Sequence, residues 1–343
     1  MSKNETLTLE PIAATDSDWA AFVADHEDAT VFHTPEWFSA IEATFGYEPK
    51  HLVCRGPDGK ITGLVPGVTV RDGLGKSIVV PFAEYGFPLL TDGVDPVAFL
   101  EAITERGGTR IIKDASWSSV RGYNSAGFGG TETGTAIRLG LTSSFDALWH
   151  ERFDKDVRRC VRTARANGVT VTPGTVDTFY PLYLATMERL GSPQFPPELF
   201  SAFRNELGDA ATILIARLEE QPIAGVFCYE YGDTTTIWTP ASLAAHWEHR
   251  PNHLLYLEAI KRACSAGRSI VDFGRSRPGS SVHEFKAQFG GTPADLVSLV
   301  APPHRAGRAS LDAYGRIGSI TPYFAPILTN STIGPALKRY LHE

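Results

Sequence analysis

Short apolar runs bounded by polar turns alternate along this chain with stretches in which apolar residues recur every three or four positions, the pattern of strands and helices in mixed order. In the second half, Val169–Thr172 predicts a strand and Phe179–Leu190 a helix stopped by Gly191. Pro197–Leu207 predicts a second helix, with Phe200, Phe203 and Leu207 on one face. Strands follow at Ala211–Leu218, Ile223–Tyr231 and Thr234–Thr239, then a helix from Asn252 to Ala266 ended by Gly267. A strand over Ser269–Phe273, a short helix over Val282–Phe289 and a strand over Asp295–Val300 complete this half.

The first half runs in the same order. Leu7–Leu9 predicts a strand, Ser17-Asp18-Trp19 opens a helix, and Thr34 caps the next, with Pro35 in its first turn. Leu52–Arg55 and Ile61–Val65 then line up without gaps, at a constant offset, on Leu214–Arg217 and Ile223–Phe227. In each copy a polar turn joins two short apolar strands, which predicts a β-hairpin. Ser77–Pro81, a helix opening at Asp95-Pro96, Thr109–Ala115 and Ala136–Leu141 close the half. The expected fold is therefore α/β (α+β): a duplicated domain, each copy a mixed central sheet flanked by helices. Between the copies, Phe145–Asn167 predicts a linking helix with Phe153, Val157, Val161 and Ala164 on one face. The expected borders are 1–143 for the first domain, 144–168 for the link, 169–301 for the second domain and 302–343 for a tail with a short amphipathic helix at Ile333–Leu341.

Composition narrows the function. The chain has 343 residues, 43% apolar and 21% charged, which excludes a disordered tail, a coiled coil or a fibre. A net charge of −7 offers no basic excess for DNA. Four scattered cysteines without a CxxC spacing read as reduced thiols. The polar start lacks signal-peptide regions, and no apolar run reaches the ~20 residues that span a bilayer. A cytoplasmic protein with no transmembrane segment is expected, with the Ile333–Leu341 stretch as the one feature that would suit peripheral contact with the inner membrane face.

Four segments carry a family resemblance. Phe32-His33-Thr34-Pro35-Glu36-Trp37 resembles the start of a family's first helix, and Pro81-Phe82-Ala83-Glu84-Tyr85-Gly86-Phe87-Pro88 is similar to its "YGG" segment, with Phe87 in place of the second glycine. Arg158-Arg159 with Ala164 and Gly168-Val169 resembles its basic helix, and Asp272-Phe273-Gly274-Arg275-Ser276 followed by Phe285-Lys286 resembles its "DFGRS…FK" close. The family is the FemABX group of aminoacyltransferases, whose two domains share the GNAT acyltransferase fold. The resemblance implies tandem GNAT-like domains; the first, which lacks a cation after its fifth strand comparable to Arg275, is expected to serve recognition and the second to be catalytic. It further implies transfer of an acyl or aminoacyl group from an activated donor to an amine acceptor, a small molecule or a nucleotide- or lipid-linked cell-envelope precursor. The implied donor is acyl-CoA or aminoacyl-tRNA, used as a co-substrate with no tightly bound cofactor; a tRNA acceptor stem would then be a partner. The alternative is a non-catalytic pseudo-GNAT that binds a nucleotide-linked or tRNA ligand.

The candidate residues follow. Lys286 is placed by the resemblance in the active site, where a cation stabilises the oxyanion of acyl transfer; a surface lysine behind a core Phe285 is the plain alternative. Asp272 stands at a strand end, where α/β sheets bind ligands, and is the candidate proton acceptor. Arg275 and Arg277 would grip a phosphate or carboxylate, unless Arg275 only pairs with Asp272. Arg158 and Arg159 suit substrate phosphates, or else form a solvated helix face balanced by Asp154 and Asp156. Tyr231, Trp238 and Tyr256 would line the acceptor groove or simply pack in the core, and Phe285, beside Lys286, is a further substrate-binding candidate. His246, His249 and His253 resemble a metal cluster, but Pro251 breaks their spacing and no metal is expected. The glycine-rich phosphate loop of acetyl-CoA enzymes is absent from both halves, which counts against ordinary acetyl-CoA binding.

Overall fold

The computed structural model describes residues 7–72, 75–114, 122–141, 144–308, 329–330 and 332–340. Its chain divides into two compact units: 1–134 with 295–316 and 339–343, and 135–294 with 317–338.

The first unit runs β1 (Glu10–Pro11), α1 (Ser17–Asp25), α2 (Pro35–Phe45), β2 (Glu48–Pro49), β3 (Leu52–Arg55), β4 (Ile61–Val65), β5 (Val68–Asp72), β6 (Gly75–Val79), β7 (Leu89–Leu90), α3 (Pro96–Glu105) and β8 (Thr109–Asp114). Its helices start where side chains can take up orphan N–H groups: Asp16 accepts from Asp18 N–H, and Thr34 from Trp37 N–H with Pro35 behind it. The hairpin β3–β4 forms as expected and sits in a sheet ordered β1-β3-β4-β7. Pro66-Gly67 then interrupts the chain, and β5 enters a second sheet beside β2 and β6, with β6 pairing parallel to β8 at Ser77–Thr109 and Ile78–Arg110. Proline at that point cannot donate to a ladder, which is why one run of sequence serves two sheets.

The second unit takes up the C-terminal end of β9 (Gly129–Gly140), then α4 (Lys155–Ala166), β10 (Val169–Pro173), α5 (Val176–Leu190), α6 (Pro197–Leu207), β11 (Ala211–Leu218), β12 (Gln221–Tyr231), β13 (Thr234–Ser242), α7 (Pro251–Ser265), β14 (Ile270–Ser276) and α8 (Ser281–Ala287). Its strands lie in the order β10-β11-β12-β13-β14-β9. The strand β15 (Thr292–Ala301) runs on into the first unit, where Val297–Ala301 pairs antiparallel with Arg110–Asp114. The short helix α9 (Ile333–Lys338) belongs to the second unit up to its last residue, while Arg339 belongs to the first. The units thus exchange ends of chain, which strand pairing decides and run lengths along a sequence do not show.

The two hairpins share a detail. The β3–β4 register shifts between Cys54 and Arg55, and the β11–β12 register shifts between the aligned Ala216 and Arg217. The gapless alignment nevertheless slips by one residue, because Leu52 faces Val65 whereas Leu214 faces Val226. The second turn is the tighter one, with Glu219 in the left-handed region at φ 54°.

The expected link at 145–167 is not one helix. A π-helical turn at Leu148–Arg152 ends at an extended Phe153, and α4 starts afresh at Lys155. The Arg158 guanidinium holds this break by donating to the carbonyl oxygens of Trp149 (3.0 Å), His150 (3.3 Å) and Phe153 (2.6 Å). The face named from the sequence is still the buried one: Phe153, Val157, Val161 and Ala164 all lie in the core of this unit.

Candidate functional site

The site is built where β13 and β14 stop being neighbours. They pair in parallel only at Thr234–Ile270, Thr235–Val271 and Thr236–Asp272. Past that point β13 is bulged: Cys228 faces Ile237 and Phe227 faces Thr239, so Trp238 has no opposite residue on β12. On the other strand the β14–β9 register shifts between Asp272 and Arg275, with Gly274 between them at φ 68°. These irregularities, at one level of the sheet, separate the parallel strands at their C-terminal ends, the place where open α/β sheets bind ligands.

Polar side chains hold that geometry. Asp272 is buried; its Oδ2 accepts from Arg138 Nε at 3.0 Å and its Oδ1 from Gly274 N–H at 2.7 Å. Lys286, in the last turn of α8, is also buried, and its Nζ donates to the carbonyl oxygens of Gly274 (3.1 Å) and Arg275 (2.8 Å). Acid, lysine and glycine thus grip one short turn of β14 from both sides. Ser276 Oγ lies 3.2 Å from His283 Nδ1, and the Ser280 hydroxyl caps α8 through His283 N–H.

Aromatic rings flank this turn. Phe285 and Tyr256 meet edge to face at 4.9 Å, Phe273 and Phe289 stack on Tyr256, and burial raises the Tyr256 hydroxyl far above its ordinary pKa. His253 packs against Phe285 at 4.9 Å, and burial together with Arg250 brings its pKa down to about 4. A second group surrounds Trp238, which stacks on Phe195 at 5.5 Å and touches Phe203 and Tyr229. Phe195 is itself fixed by backbone bonds, its N–H to Tyr183 Oη and its carbonyl from Tyr180 Oη, both 2.9 Å. Beside that loop opens a cleft of about 770 Å³ whose polar lining includes Tyr180, Glu188, Gln194, Glu198 and Asn330. Gln194 donates to the carbonyls of Thr329 (3.1 Å) and Asn330 (3.0 Å), and Lys338 Nζ sits over the Phe195 ring at 4.5 Å.

Of the residues singled out from sequence, Asp272, Lys286, Arg275, Phe285 and Tyr256 lie at or around the β14 turn, and Trp238 is the bulged residue of β13. Arg277 follows the turn on an exposed loop. Arg158 Nη1 donates to the carbonyls that end the π-turn, and Arg159 pairs on the surface with Asp156 at 3.2 Å. Arg138, the partner of Asp272, escaped sequence reading. Its signal was an arginine inside the apolar strand Ala136–Leu141, where a charge needs a partner. His246 and His249 face each other at 5.9 Å, and no group of three metal-ligating side chains converges among the described residues.

Residues 151–287 match the model of the acetyltransferase (GNAT) domain family. No curated protein matches the chain by sequence. Among solved structures the chain is similar to FemX, at 14% identity and a TM-score of 0.64 over 91% of this chain and 100% of that one. It is also similar to the C-terminal domain of a putative lysylphosphatidylglycerol synthetase from Agrobacterium fabrum, at 13% identity and a TM-score of 0.58 over 92% and 98% of the two chains. A tandem GNAT protein from the clavulanic acid biosynthesis pathway follows, at 12% identity and 0.53 over 86% and 98%. The matched segment 151–287 lies within the second unit. The whole chain has the FemX-like tandem GNAT fold that the sequence motifs resembled. Among the described residues, no helix is long and apolar enough to cross a membrane.

Proposed function

We propose that the second unit transfers an acyl or aminoacyl group from an activated donor to an amine. One observation carries this reading: within the segment matching the acetyltransferase family, β13 and β14 separate after Thr236–Asp272, with Trp238 bulged on one strand and Gly274 turned on the other. A donor carbonyl seated in that opening would meet main-chain N–H groups as its oxygen gains charge. The amine nitrogen attacks the carbonyl carbon, a C–N bond forms, and the C–S or C–O bond to the carrier breaks. The carrier leaves as thiol or hydroxyl with the proton the amine gives up. Most of the acceleration comes from holding donor and amine in register.

In this scheme Lys286 is a positioning residue, because its Nζ is engaged by the carbonyls of Gly274 and Arg275 and so sets the shape of the turn. Asp272 does the same from the other side, its two carboxylate oxygens engaged by Arg138 Nε and Gly274 N–H. Arg275 and Arg277 are the cations for a phosphate or carboxylate of donor or acceptor. Phe285 and Tyr256 form an apolar wall, and the cleft beside Phe195 takes the acceptor, whose nitrogen attacks as the neutral amine after its ammonium gives a proton to Glu188, Glu198 or solvent. Likeness to a lysylphosphatidylglycerol synthetase domain makes an aminoacyl donor with a lipid-linked acceptor one pair to test; the tandem GNAT likeness makes acyl-CoA the other.

A binding protein without turnover is the second reading, favoured by the engagement of both Asp272 and Lys286 within the protein. Thermal shift with CoA, acetyl-CoA, aminoacyl-tRNA and a nucleotide-linked cell-envelope precursor, followed by mass spectrometry of mixtures with amines, separates these. A ligand at 100 times its Kd adds ~2.7 kcal/mol, which a melt registers. A donor shift with acylated amine supports transfer; a shift with no product supports the binding protein; no shift with any donor sinks both.

A further inference from the structure

The first unit carries a second cleft, of about 370 Å³, whose lining includes Tyr47, Glu48, Arg71, Lys76, Arg339 and Tyr340. We propose that this cleft is a binding site for a phosphoryl group, a phosphate ester or pyrophosphate. The proposal is independent of acyl transfer by the second unit.

Its first support is a pairing that the fold alone disfavours. Arg71 on β5 and Lys76 on β6 are direct cross-strand partners, so their side chains leave the hairpin on the same face. Like charges in that position repel, and an acid opposite a base would be the stabilising choice. Neither residue has an ion pair among the described residues, and the one carboxylate of the lining, Glu48, is taken by Lys50 Nζ at 2.5 Å. Lys76 adds only a longer-range pull on Glu48, whose pKa is held down chiefly by Lys50.

The second support is a third cation delivered from far along the chain. The Tyr47 hydroxyl donates to the Arg339 carbonyl at 2.7 Å, which anchors the tail at this spot. The Arg339 guanidinium lies over Gly46, 3.6 Å from where a Cβ would stand. Three cations thus gather in one cleft of a chain whose net charge is −7, against the average field of the protein. Two guanidinium forks and an ammonium match the several oxygens of a phosphoryl group better than the two of a carboxylate. Tyr340, 52% exposed at the rim, offers a ring to the organic remainder of such a ligand.

The test titrates the full chain with inorganic pyrophosphate by calorimetry at fixed ionic strength, and sediments it with phosphatidylcholine vesicles with and without phosphatidylglycerol. Lys76→Glu is the informative variant. Restoring an opposite-charge pair with Arg71 should raise the melting temperature, while pyrophosphate binding should fall at least tenfold. Arg71→Ala should also lose binding, and Arg159→Ala, in the second unit, should keep it. Saturable pyrophosphate binding with this pattern supports a soluble phosphate compound as ligand. Vesicle binding that needs phosphatidylglycerol and is lost in Lys76→Glu supports a lipid headgroup. Absence of both, or binding that survives Lys76→Glu and Arg71→Ala in folded protein, overturns the proposal.

Discussion

The last rung of the parallel ladder differs in charge between the two units. In the first, β6 and β8 end their pairing at Ile78–Arg110; in the second, β13 and β14 end theirs at Thr236–Asp272. Both charged residues are buried. Arg110 gives Nη2 to the Lys50 carbonyl at 3.2 Å, and burial brings its pKa down to about 10. Asp272 is ion-paired with Arg138 and fixes the next turn through Gly274. Each unit also buries a lysine against backbone oxygen: Lys113, on β8 itself, donates to Ala83, while Lys286 reaches the β14 turn from the following helix. A duplicated skeleton thus keeps its hydrogen-bonding habit and changes where the charge points. In the second unit the charged groups shape an opening between strands; in the first they satisfy carbonyls of neighbouring loops.

The sharpest break in that comparison is kinetic. Lys286→Met should lower turnover at least ~100-fold with the donor that the binding panel identifies, the scale expected when groups that shape an oxyanion site are lost. The loss should fall on kcat more than on KM, as for a residue that acts through the turn rather than on bound donor. Lys113→Met should leave the turnover of folded protein unchanged. Equal losses in both variants would remove the functional distinction between the units.

Stability separates the two buried charges next. Asp272→Ala removes one partner of Arg138 and frees Gly274 N–H, and should cost about 3 kcal/mol in urea unfolding, the lower end for breaking a buried pair because Arg138 is 38% exposed. Arg110→Met removes a desolvated cation with a side chain of similar length and should stay within about 1 kcal/mol of wild type, on either side of it. A large loss at Arg110 would mean that the first unit depends on its charge as the second does.

Much of the frame was legible in the sequence because it rests on local signals. Thr34-Pro35 starts a helix, Gly191 ends one, and both hairpins stand where alternating runs flank turn residues. The exchange of chain ends was not legible, since a run such as Asp295–Val300 does not state which strand it pairs with. Of the candidate site, Asp272, Gly274 and Lys286 stood in one motif and do meet. The Trp238 bulge left no trace in composition, because it is a matter of register between two strands that each look regular. Arg158 shows a different limit of scale: a basic helix face suggests phosphate, while the contact of its Nη1 with three carbonyls at a π-turn depends on a break in the helix that helical spacing does not reveal.

Acid should destabilise both units in the same direction, the first more than the second, which tests whether they share packing rather than chemistry. His33 in the first unit and His253 in the second both have pKa values near 4, driven down first of all by burial. His33 Nδ1 accepts from Thr30 N–H at 3.1 Å and Nε2 faces the Phe87 carbonyl at 3.0 Å, an arrangement that suits a neutral ring with its proton on Nε2. Between the ordinary pKa of 6.5 and about 4, the unfolded chain binds more protons than the native one, so stability is complete above pH 6.5 and drains away as pH falls through that window. The loss should approach about 3 kcal/mol for His33 and be smaller for the less buried His253. Denaturant melts from pH 7 to pH 4 should show the slope, and His33→Gln should flatten most of it. A slope unchanged in that variant would place the acid sensitivity elsewhere.

The smallest effect isolates geometry from stability. Gly59 in the first unit and Gly274 in the second both lie in the left-handed region, at φ 82° and 68°. Open space surrounds a Cβ built at Gly59, so Gly59→Ala should cost only the backbone strain, about 1–2 kcal/mol, with activity intact. Gly274→Ala should cost a similar amount in the melt, because the same dihedral strain is imposed. Its consequence for transfer should be larger than the melt suggests: the Gly274 N–H is tied to Asp272 and its carbonyl to Lys286, so relief of the strain must move one of the two anchors of the opening. Equal melts with a selective loss of kcat at Gly274 would locate the function in the shape of that turn; equal melts with equal activity would return Gly274 to the role of an ordinary turn glycine.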